Sequence, residues 1–309
     1  MKILYIGGAG RSGSTLLEMI LGNTPGFFSI GEARHFWEYI IRGNILCGCG
    51  HEISRCEFWK SVKVELETEH KIDLNIMSSL NQSLNRTRNY PMISHRSVSG
   101  ISSEWSELVR GTTALYTSIF KFNGNQEIVD SSKIPTHLYI LSQIPNINPR
   151  LLHLVRDGRA VAHSWSKRAK QELAIKGKKS RMPKRSALQS MIRWMIENAS
   201  IVGLKDKMPN ITLRYEDFAQ NPHLILEQSL NALGYSSINL HETITSLNTL
   251  QPTHSVGGNP IRFSNQNAKI VPNYEWAKSM SFVSKIVLGM VGYPILSRYD
   301  YSILPESSD

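Results

Sequence analysis

The chain alternates short, mostly apolar runs with longer stretches in which apolar residues recur every three or four positions. The short runs predict buried strands at residues 3–6, 127–130, 151–155 and 211–214. The helical spacing predicts helices at residues 15–21, 103–120, 160–175, 185–203 and 222–233. Strands that alternate with helices indicate βαβ units, and hence an α/β fold built on a parallel sheet.

Residues 36–126 interrupt this alternation. They carry poor strand signals, so we expect a mainly helical insert there. We expect residues 1–309 as a whole to form one domain. Ligands of parallel sheets bind beyond the carboxyl ends of the strands. The segments 7–14, 130–135 and 156–158 each follow a predicted strand, and we therefore expect them to converge on one cleft.

The first predicted strand leads into a loop rich in glycine and then directly into a helix. Glycines occupy positions 7, 8, 10 and 13. In such a turn the backbone N–H groups and the helix N-terminus form an anion cradle. The spacing from Gly8 to Thr15 approaches the P-loop pattern, but Ser14 stands where the phosphate-binding lysine belongs. The nearest cation is Arg11, so the loop indicates a phosphate-type ligand other than ordinary ATP or GTP.

A second motif places Arg156 at the end of a strand and Ser164 eight positions later, on the following helix. Two further segments accompany it: LRYEDF at residues 213–218 and GNPIRF at residues 258–263. Together with the GRSGST loop, these segments resemble the sulfotransferases that use 3′-phosphoadenosine 5′-phosphosulfate (PAPS). The matching segments run from the first strand to about Phe263, so the resemblance covers most of the chain. It implies the three-layer, P-loop-like fold of that family.

The resemblance implies a role for each matching residue. The 5′-phosphosulfate would lie against the loop, and the 3′-phosphate would bind Arg156 and Ser164. Tyr215 would pack against adenine, although a tyrosine at a strand end is also a common core residue, and Arg262 would reach the 3′-phosphate. The loop residues concerned are Arg11, Ser12, Gly13, Ser14 and Thr15.

Three residues acquire catalytic roles from the same resemblance. Glu32, in a Gly-Glu pair after the first helix, would be the general base, for which partial burial would have to raise the pKa. Lys133 would stabilise the transition state, and Arg11 would contact the bridging oxygen. The alternatives are an ordinary exposed carboxylate for Glu32 and a surface turn for Lys133. His137 fits the family's catalytic histidine poorly, and His254 is the next candidate base.

The implied reaction moves a sulfuryl group from PAPS to a hydroxyl or amine and releases 3′,5′-ADP, and we expect it to need no metal. The sequence leaves the identity of the acceptor open: it can be a small molecule, a lipid, a carbohydrate or a peptide. The insert 36–126 would lie near the acceptor. One alternative is a P-loop-type kinase for a small molecule. Another is a non-catalytic protein that binds PAPS or another nucleotide. The sequence predicts no oligomeric state.

The charge and the hydropathy of the chain limit the classes of partner and the location that we expect. The formal net charge is +10, and residues 167–185 hold nine Lys or Arg with one acid, Glu172. This stretch is either a solvated surface or a basic lid that attracts PAPS or an acidic acceptor. No nucleic-acid motif accompanies it, so we expect no nucleic-acid partner.

The first strand begins directly after Lys2, and polar residues interrupt the longest apolar stretch, 282–296. We therefore expect a cytoplasmic protein without a transmembrane segment.

The chain has three cysteines, Cys47, Cys49 and Cys56, with His51 among them. Three Cys and one His can bind structural zinc. The spacing lacks a C-x-x-C pair, however, and a reducing compartment disfavours a disulfide. We therefore expect reduced thiols in this part of the insert.

Overall fold

The computed structural model describes residues 1–94, 102–167, 184–236, 238–263, 270–272 and 274–303, and the backbone of residues 171–172 and 180–181. Strands in this part of the chain are, in order, β1 (Lys2–Gly7), β2 (Phe27–Gly31), β3 (Glu127–Lys133), β4 (Asn148–Val155), β5 (Gln171–Glu172), β6 (Ser180–Arg181) and β7 (Asn210–Arg214). Five of them form a parallel sheet in the order β2-β3-β1-β4-β7, and β5 pairs antiparallel with β6.

Helices flank the sheet on both faces. In chain order they are α1 (Ser14–Gly22), α2 (Phe36–Arg42), α3 (Glu57–Thr68), α4 (Leu74–Leu84), α5 (Tyr90–Ser94), α6 (Ser103–Phe122), α7 (Pro135–Ser142), α8 (Gly158–Ser166), α9 (Ala187–Val202), α10 (Tyr215–Gln220), α11 (Pro222–Ala232), α12 (His241–Thr245), α13 (Glu275–Ser279) and α14 (Phe282–Leu296). The predicted α/β fold with a parallel sheet is confirmed.

Two element predictions need correction. The sequence did not predict β2, although it forms an edge strand of the sheet. The helix predicted over 160–175 is too long, because α8 ends at Ser166 and Lys167 is already extended (φ −61°, ψ 159°). Residues 171–172 then pair as a strand, and the rest of 168–175 lies outside the described residues.

The parallel register brings the strand ends together at one edge of the sheet. Gly7 of β1 lies opposite Lys133 of β3 on one side and His153 of β4 on the other. Gly31 of β2 lies opposite Asp130 of β3. The segments after these strands are therefore neighbours, as expected for a parallel sheet.

Alternation along the central strand divides the core between the two faces of the sheet. Ile3 and Tyr5 join a buried cluster that includes Trp37, Trp59 and Leu115, which come from α2, α3 and α6. Leu4 and Ile6 face the opposite side, against side chains of α1, α10 and α11. The helices between β2 and β3 thus share one buried cluster with the sheet.

None of the helices in the described part of the chain combines the length and the apolar character that crossing a bilayer requires. The most apolar stretch in the sequence forms α14, which has 15 residues and contains Pro294.

Candidate active site

The glycine-rich loop between β1 and α1 forms the predicted cradle. Its backbone enters the left-handed region at Gly8 (φ 131°), Arg11 (φ 74°) and Gly13 (φ 95°). A Cβ at Gly8 would lie 2.2 Å from the carbonyl oxygen of Leu154, so β4 leaves room only for glycine there. Helix α1 begins at Ser14, and its first N–H groups have no intrahelical partners, which favours an anion at this end.

Ser12 gives this cradle an open hydrogen-bonding group. Its side chain is almost completely buried, and its Oγ makes no hydrogen bond within the described residues. Buried hydroxyls are normally satisfied by a partner. The cradle therefore offers a polar contact that a bound phosphate or sulfate oxygen can satisfy.

Arg156 follows β4 and lies beside the cradle. Its Nη1 donates to the carbonyl oxygen of Arg11 at 3.2 Å, and its guanidinium lies 4.6 Å from the centre of the Tyr215 ring. A Cβ at Gly13 would lie 2.6 Å from that same ring. Burial raises the pKa of Tyr215, and its hydroxyl donates to Val271 O at 3.1 Å. Arg156 and the cradle thus share one aromatic wall, while an adenine contact of Tyr215 stays a prediction.

A second aromatic side chain near the loop, Trp165, contacts the guanidinium groups of two arginines. The guanidinium of Arg11 lies 4.8 Å from the centre of its ring, and that of Arg185 lies 4.3 Å from it. Burial lowers the pKa of Arg11. Ser164 precedes Trp165 in the last turn of α8 and is half-buried. The sequence pattern did not mark Trp165 as a site residue. Most of the basic stretch 167–185 lies outside the described residues.

Glu32 and Lys133 form an ion pair at the ends of β2 and β3. Lys133 Nζ donates to Glu32 Oε1 at 2.6 Å, and both side chains are about nine-tenths buried. Arg34 Nη2 donates to the other carboxylate oxygen at 2.9 Å, and His35 Nε2 lies 3.5 Å from it. Gly8 N donates to Lys133 O at 3.2 Å, which holds this pair beside the cradle.

The expected raised pKa of Glu32 is wrong. Burial acts to raise it, but Lys133, His35 and Arg34 lower it more, and the pKa lies well below its usual value. Glu32 is therefore ionised at neutral pH, and as long as Lys133 stays in contact it is a weak proton acceptor. The sequence did not predict this ion pair, because Glu32 and Lys133 lie 101 positions apart in the chain.

The segment that contains GNPIRF covers Glu32 and the start of α1. Glu32 N donates to Val256 O at 2.6 Å, and Asn259 N donates to Thr15 Oγ1 at 3.3 Å. A Cβ at Gly257 would lie 3.3 Å from Glu32 Cβ. Residues 256–259 therefore close one side of the candidate site.

The predicted contact of Arg262 with a 3′-phosphate has no geometric support. Its guanidinium is buried and donates to Leu46 O at 3.0 Å and to Ser255 O at 3.4 Å. Burial lowers the pKa of this arginine, and the acids that oppose this include Glu18 and Glu32, on the β2 side of the cradle. Arg156, the other arginine expected to bind the 3′-phosphate, follows β4, which lies on the opposite side of β1 from β2. The contacts of Arg262 hold two loops together.

Neither candidate histidine lies with the Glu32–Lys133 pair. His137 is buried, with Nε2 3.0 Å from the Tyr116 hydroxyl and Nδ1 3.0 Å from Asn85 Nδ2. That agrees with its poor fit to a catalytic role. His254 Nδ1 lies 3.2 Å from Cys56 Sγ, so this alternative base lies against a cysteine and not beside Glu32.

A parallel five-stranded sheet, a glycine-rich turn between β1 and α1, and a buried ion pair at the same edge together define an α/β fold of the P-loop-like type. The chain matches the family model described as "Sulfotransferase family" over residues 4–238. The protein therefore belongs to the sulfotransferase family.

Solved structures show the same fold at low identity. The sulfotransferase domain of the olefin synthase from Synechococcus PCC 7002 is 18% identical, with a TM-score of 0.53, and the alignment covers 98% of this chain and 95% of that one. The sulfotransferase domain from the curacin biosynthetic pathway is 17% identical, with a TM-score of 0.54 and 98% coverage of both chains. Sulfotransferase STF9 from Mycobacterium avium is 10% identical, with a TM-score of 0.51 and coverages of 98% and 78%. No curated protein sequence matches the chain significantly.

Proposed function

We propose that this protein transfers a sulfuryl group from PAPS to a hydroxyl or amine of an acceptor and releases 3′,5′-ADP. One observation carries the proposal: the anion cradle, Arg156 and the Glu32–Lys133 pair lie after adjacent strands, at one edge of the sheet. This arrangement offers two anion sites and a proton acceptor within one cleft.

The residues at this edge fit PAPS better than a nucleoside triphosphate. The loop N–H groups, the start of α1 and Ser12 Oγ would hold the 5′-phosphosulfate. Arg156 and Ser164 would hold the 3′-phosphate. The cradle has Ser14 in place of the P-loop lysine, so it lacks the usual clamp on β- and γ-phosphates.

In the proposed reaction the acceptor oxygen or nitrogen attacks sulfur in line with the bridging oxygen. The bond from sulfur to that oxygen breaks, and its electron pair stays on the 5′-phosphate of 3′,5′-ADP. Glu32 takes the proton of the acceptor, which is worth roughly 10²–10⁴ in rate. Lys133 and Arg11 stabilise the charge that develops on the leaving oxygen, where removing one donor costs roughly 10²–10³.

The contact between Lys133 and Glu32 explains how a base with a low pKa can act. Lys133 Nζ lies 2.6 Å from Glu32 Oε1, and in the proposed mechanism it shifts from this carboxylate towards the leaving oxygen when the donor binds. When the donor attracts Lys133, Glu32 loses the strongest of the opposing cations, and burial then raises its pKa. In this scheme, donor binding itself activates the base.

We propose that the acceptor approaches from the side of the helical segment 36–126. Arg34 and His35, which contact the Glu32 carboxylate, lead directly into α2. Asn81 of α4 donates to Arg34 O at 2.8 Å and links this helix to the same group. The helices after Glu32 would therefore shape acceptor selection.

A screen of hydroxyl and amine acceptors with sulfur-labelled PAPS tests this function. We expect label transfer to at least one acceptor class, together with release of 3′,5′-ADP, and loss of both with Glu32→Gln. PAPS binding without transfer to any acceptor would instead favour the non-catalytic nucleotide-binding alternative. Transfer of phosphate from ATP that depends on magnesium would favour the kinase alternative.

A further inference from the structure

The three cysteines lie in a loop that folds back on itself between α2 and α3. Cys47 N donates to His51 O at 2.8 Å, and Gly50 N donates to Cys47 O at 2.9 Å. These two hydrogen bonds fold residues 47–51 into a tight turn, which brings Cys47 and Cys49 close together.

A fourth donor comes from a distant part of the chain. His254 Nδ1 lies 3.2 Å from Cys56 Sγ and 4.0 Å from Cys47 Sγ. The Sγ atoms of Cys47, Cys49 and Cys56 and one ring nitrogen of His254 all lie within 4.8 Å of one another. In a tetrahedral zinc site, bonds of about 2.3 Å to sulfur and about 2.0 Å to nitrogen place the ligand atoms roughly 3.5–3.8 Å apart. The two measured distances bracket that range.

The surroundings hold His254 in this position. Its ring stacks on Phe58 at 5.0 Å and on Phe28 at 6.0 Å between ring centres. Trp59 Nε1 donates to His254 O at 2.8 Å. A Cβ at Gly48 would lie 2.6 Å from Thr253 O, so only glycine allows the cysteine loop to come this close. The four donors are therefore preorganised by contacts that do not depend on a metal.

We propose that Cys47, Cys49, Cys56 and His254 bind one structural zinc ion. Three cysteines and one histidine form a common closed zinc set. His254 takes the fourth position that the sequence had suggested for His51, which is exposed and whose ring Nδ1 lies 3.8 Å from Cys49 Sγ. The cysteines carry no disulfide.

The zinc site stabilises the wall of the proposed active site. His254 and Val256 belong to one extended segment, and Val256 O accepts from Glu32 N at 2.6 Å. Arg262 joins the same segment to Leu46, next to the first cysteine. The metal thus fixes the cover over Glu32 to the cysteine loop. It takes no part in sulfuryl transfer, so this proposal stands or falls independently of the proposed function.

The test measures metal content and metal affinity in the full chain, purified without a polyhistidine tag. We expect about one zinc per chain in the wild type and in His51→Ala, and a zinc affinity at least about 100-fold weaker in His254→Ala, measured by competition with a chelator. His254→Cys supplies a fourth thiolate and should restore tight binding. A wild-type chain that neither contains zinc nor takes it up would overturn the proposal. So would loss of zinc in His51→Ala with full retention in His254→Ala.

A second readout needs no variant. Replacing zinc by cobalt(II) in the wild-type chain should give the intense visible absorption of a tetrahedral thiolate site, together with sulfur-to-cobalt charge transfer. Removal of the metal by a chelator should lower the melting temperature, and zinc should restore it. A cobalt spectrum typical of octahedral oxygen ligands would contradict the assigned donor set.

Discussion

The carboxylate of Glu32 is held by three cationic or polar neighbours, and it is the group on which the proposed chemistry depends. Lys133, Arg34 and His35 all contact it, and its pKa lies well below the usual value despite burial. Glu32 is therefore ionised at neutral pH. In the proposed mechanism it accepts a proton efficiently only after Lys133 moves away.

Glu32→Gln should lower kcat by at least about 10² while leaving PAPS affinity nearly unchanged, because the amide keeps the shape but cannot accept a proton. Steady-state kinetics and calorimetric titration of PAPS measure the two effects separately. Glu38→Gln, the same change in a carboxylate that pairs with Arg42 on α2, is the matched control and should behave like the wild type. Near-normal turnover of Glu32→Gln would assign the base to another residue.

Lys133→Met should change the pH profile as well as the rate. In the free wild-type enzyme the pKa of Glu32 is depressed, so the acidic limb of kcat/KM should lie below pH 4.5. Without Lys133 one of the cations that lower this pKa is absent, so the pKa rises and the limb should move to higher pH. Lys121→Met, which removes a surface lysine paired with Glu65, should leave the limb in place. An unshifted limb in Lys133→Met would contradict the assignment of Glu32 as the base.

At the scale of elements, the cradle depends on how closely β1 and β4 approach each other. Gly8→Ala should destabilise the fold or displace the loop, because the new Cβ would lie 2.2 Å from Leu154 O at a φ of 131°. We expect a loss of at least about 2 kcal/mol in the free energy of unfolding. Gly124→Ala, at a φ of 72° with no atom within 4 Å, should cost only about 1 kcal/mol.

Denaturant unfolding of both variants checks this comparison. Equal costs for the two changes would mean that only the backbone dihedral matters. The close packing of the cradle against β4 would then not constrain position 8.

The sequence predicted most elements that carry strong periodicity or a long apolar run. It identified four of the five strands of the central sheet, but β2 was missed because Phe27–Gly31 is short and Ser29 interrupts its apolar character. The helix over 160–175 was extended too far because nothing in the local pattern marks the stop at Ser166. Extended backbone at Lys167 ends the helix there.

The candidate site was predictable where one motif carries it and unpredictable where distant segments meet. Arg11, Ser12 and Arg156 were placed beside one another by the loop and strand patterns, and the structure brings them together. The low pKa of Glu32 arises from a lysine on another strand. His254 joins the cysteines across 198 positions, a distance over which spacing rules carry no information.

At the scale of the whole molecule, the formal net charge of +10 should attract the multiply anionic donor. The Kd of 3′,5′-ADP should therefore rise by about tenfold or more when sodium chloride is increased from about 0.05 M to about 0.5 M, because salt screens these interactions. Calorimetric titration at several salt concentrations measures the effect. A Kd independent of salt would show that the basic residues do not contribute to binding.

The central claim is that the cleft has two anion sites, one of them specific for a 3′-phosphate. Calorimetric titration with 3′,5′-ADP and 5′-AMP tests it most directly. We predict at least about tenfold tighter binding of 3′,5′-ADP. In Arg156→Ala we predict a loss of roughly 1.5–3 kcal/mol for that ligand and a much smaller loss for 5′-AMP. Arg110→Ala, which removes an exposed arginine paired with Glu107, should bind both like the wild type. Equal affinity of the wild type for the two nucleotides would contradict the account.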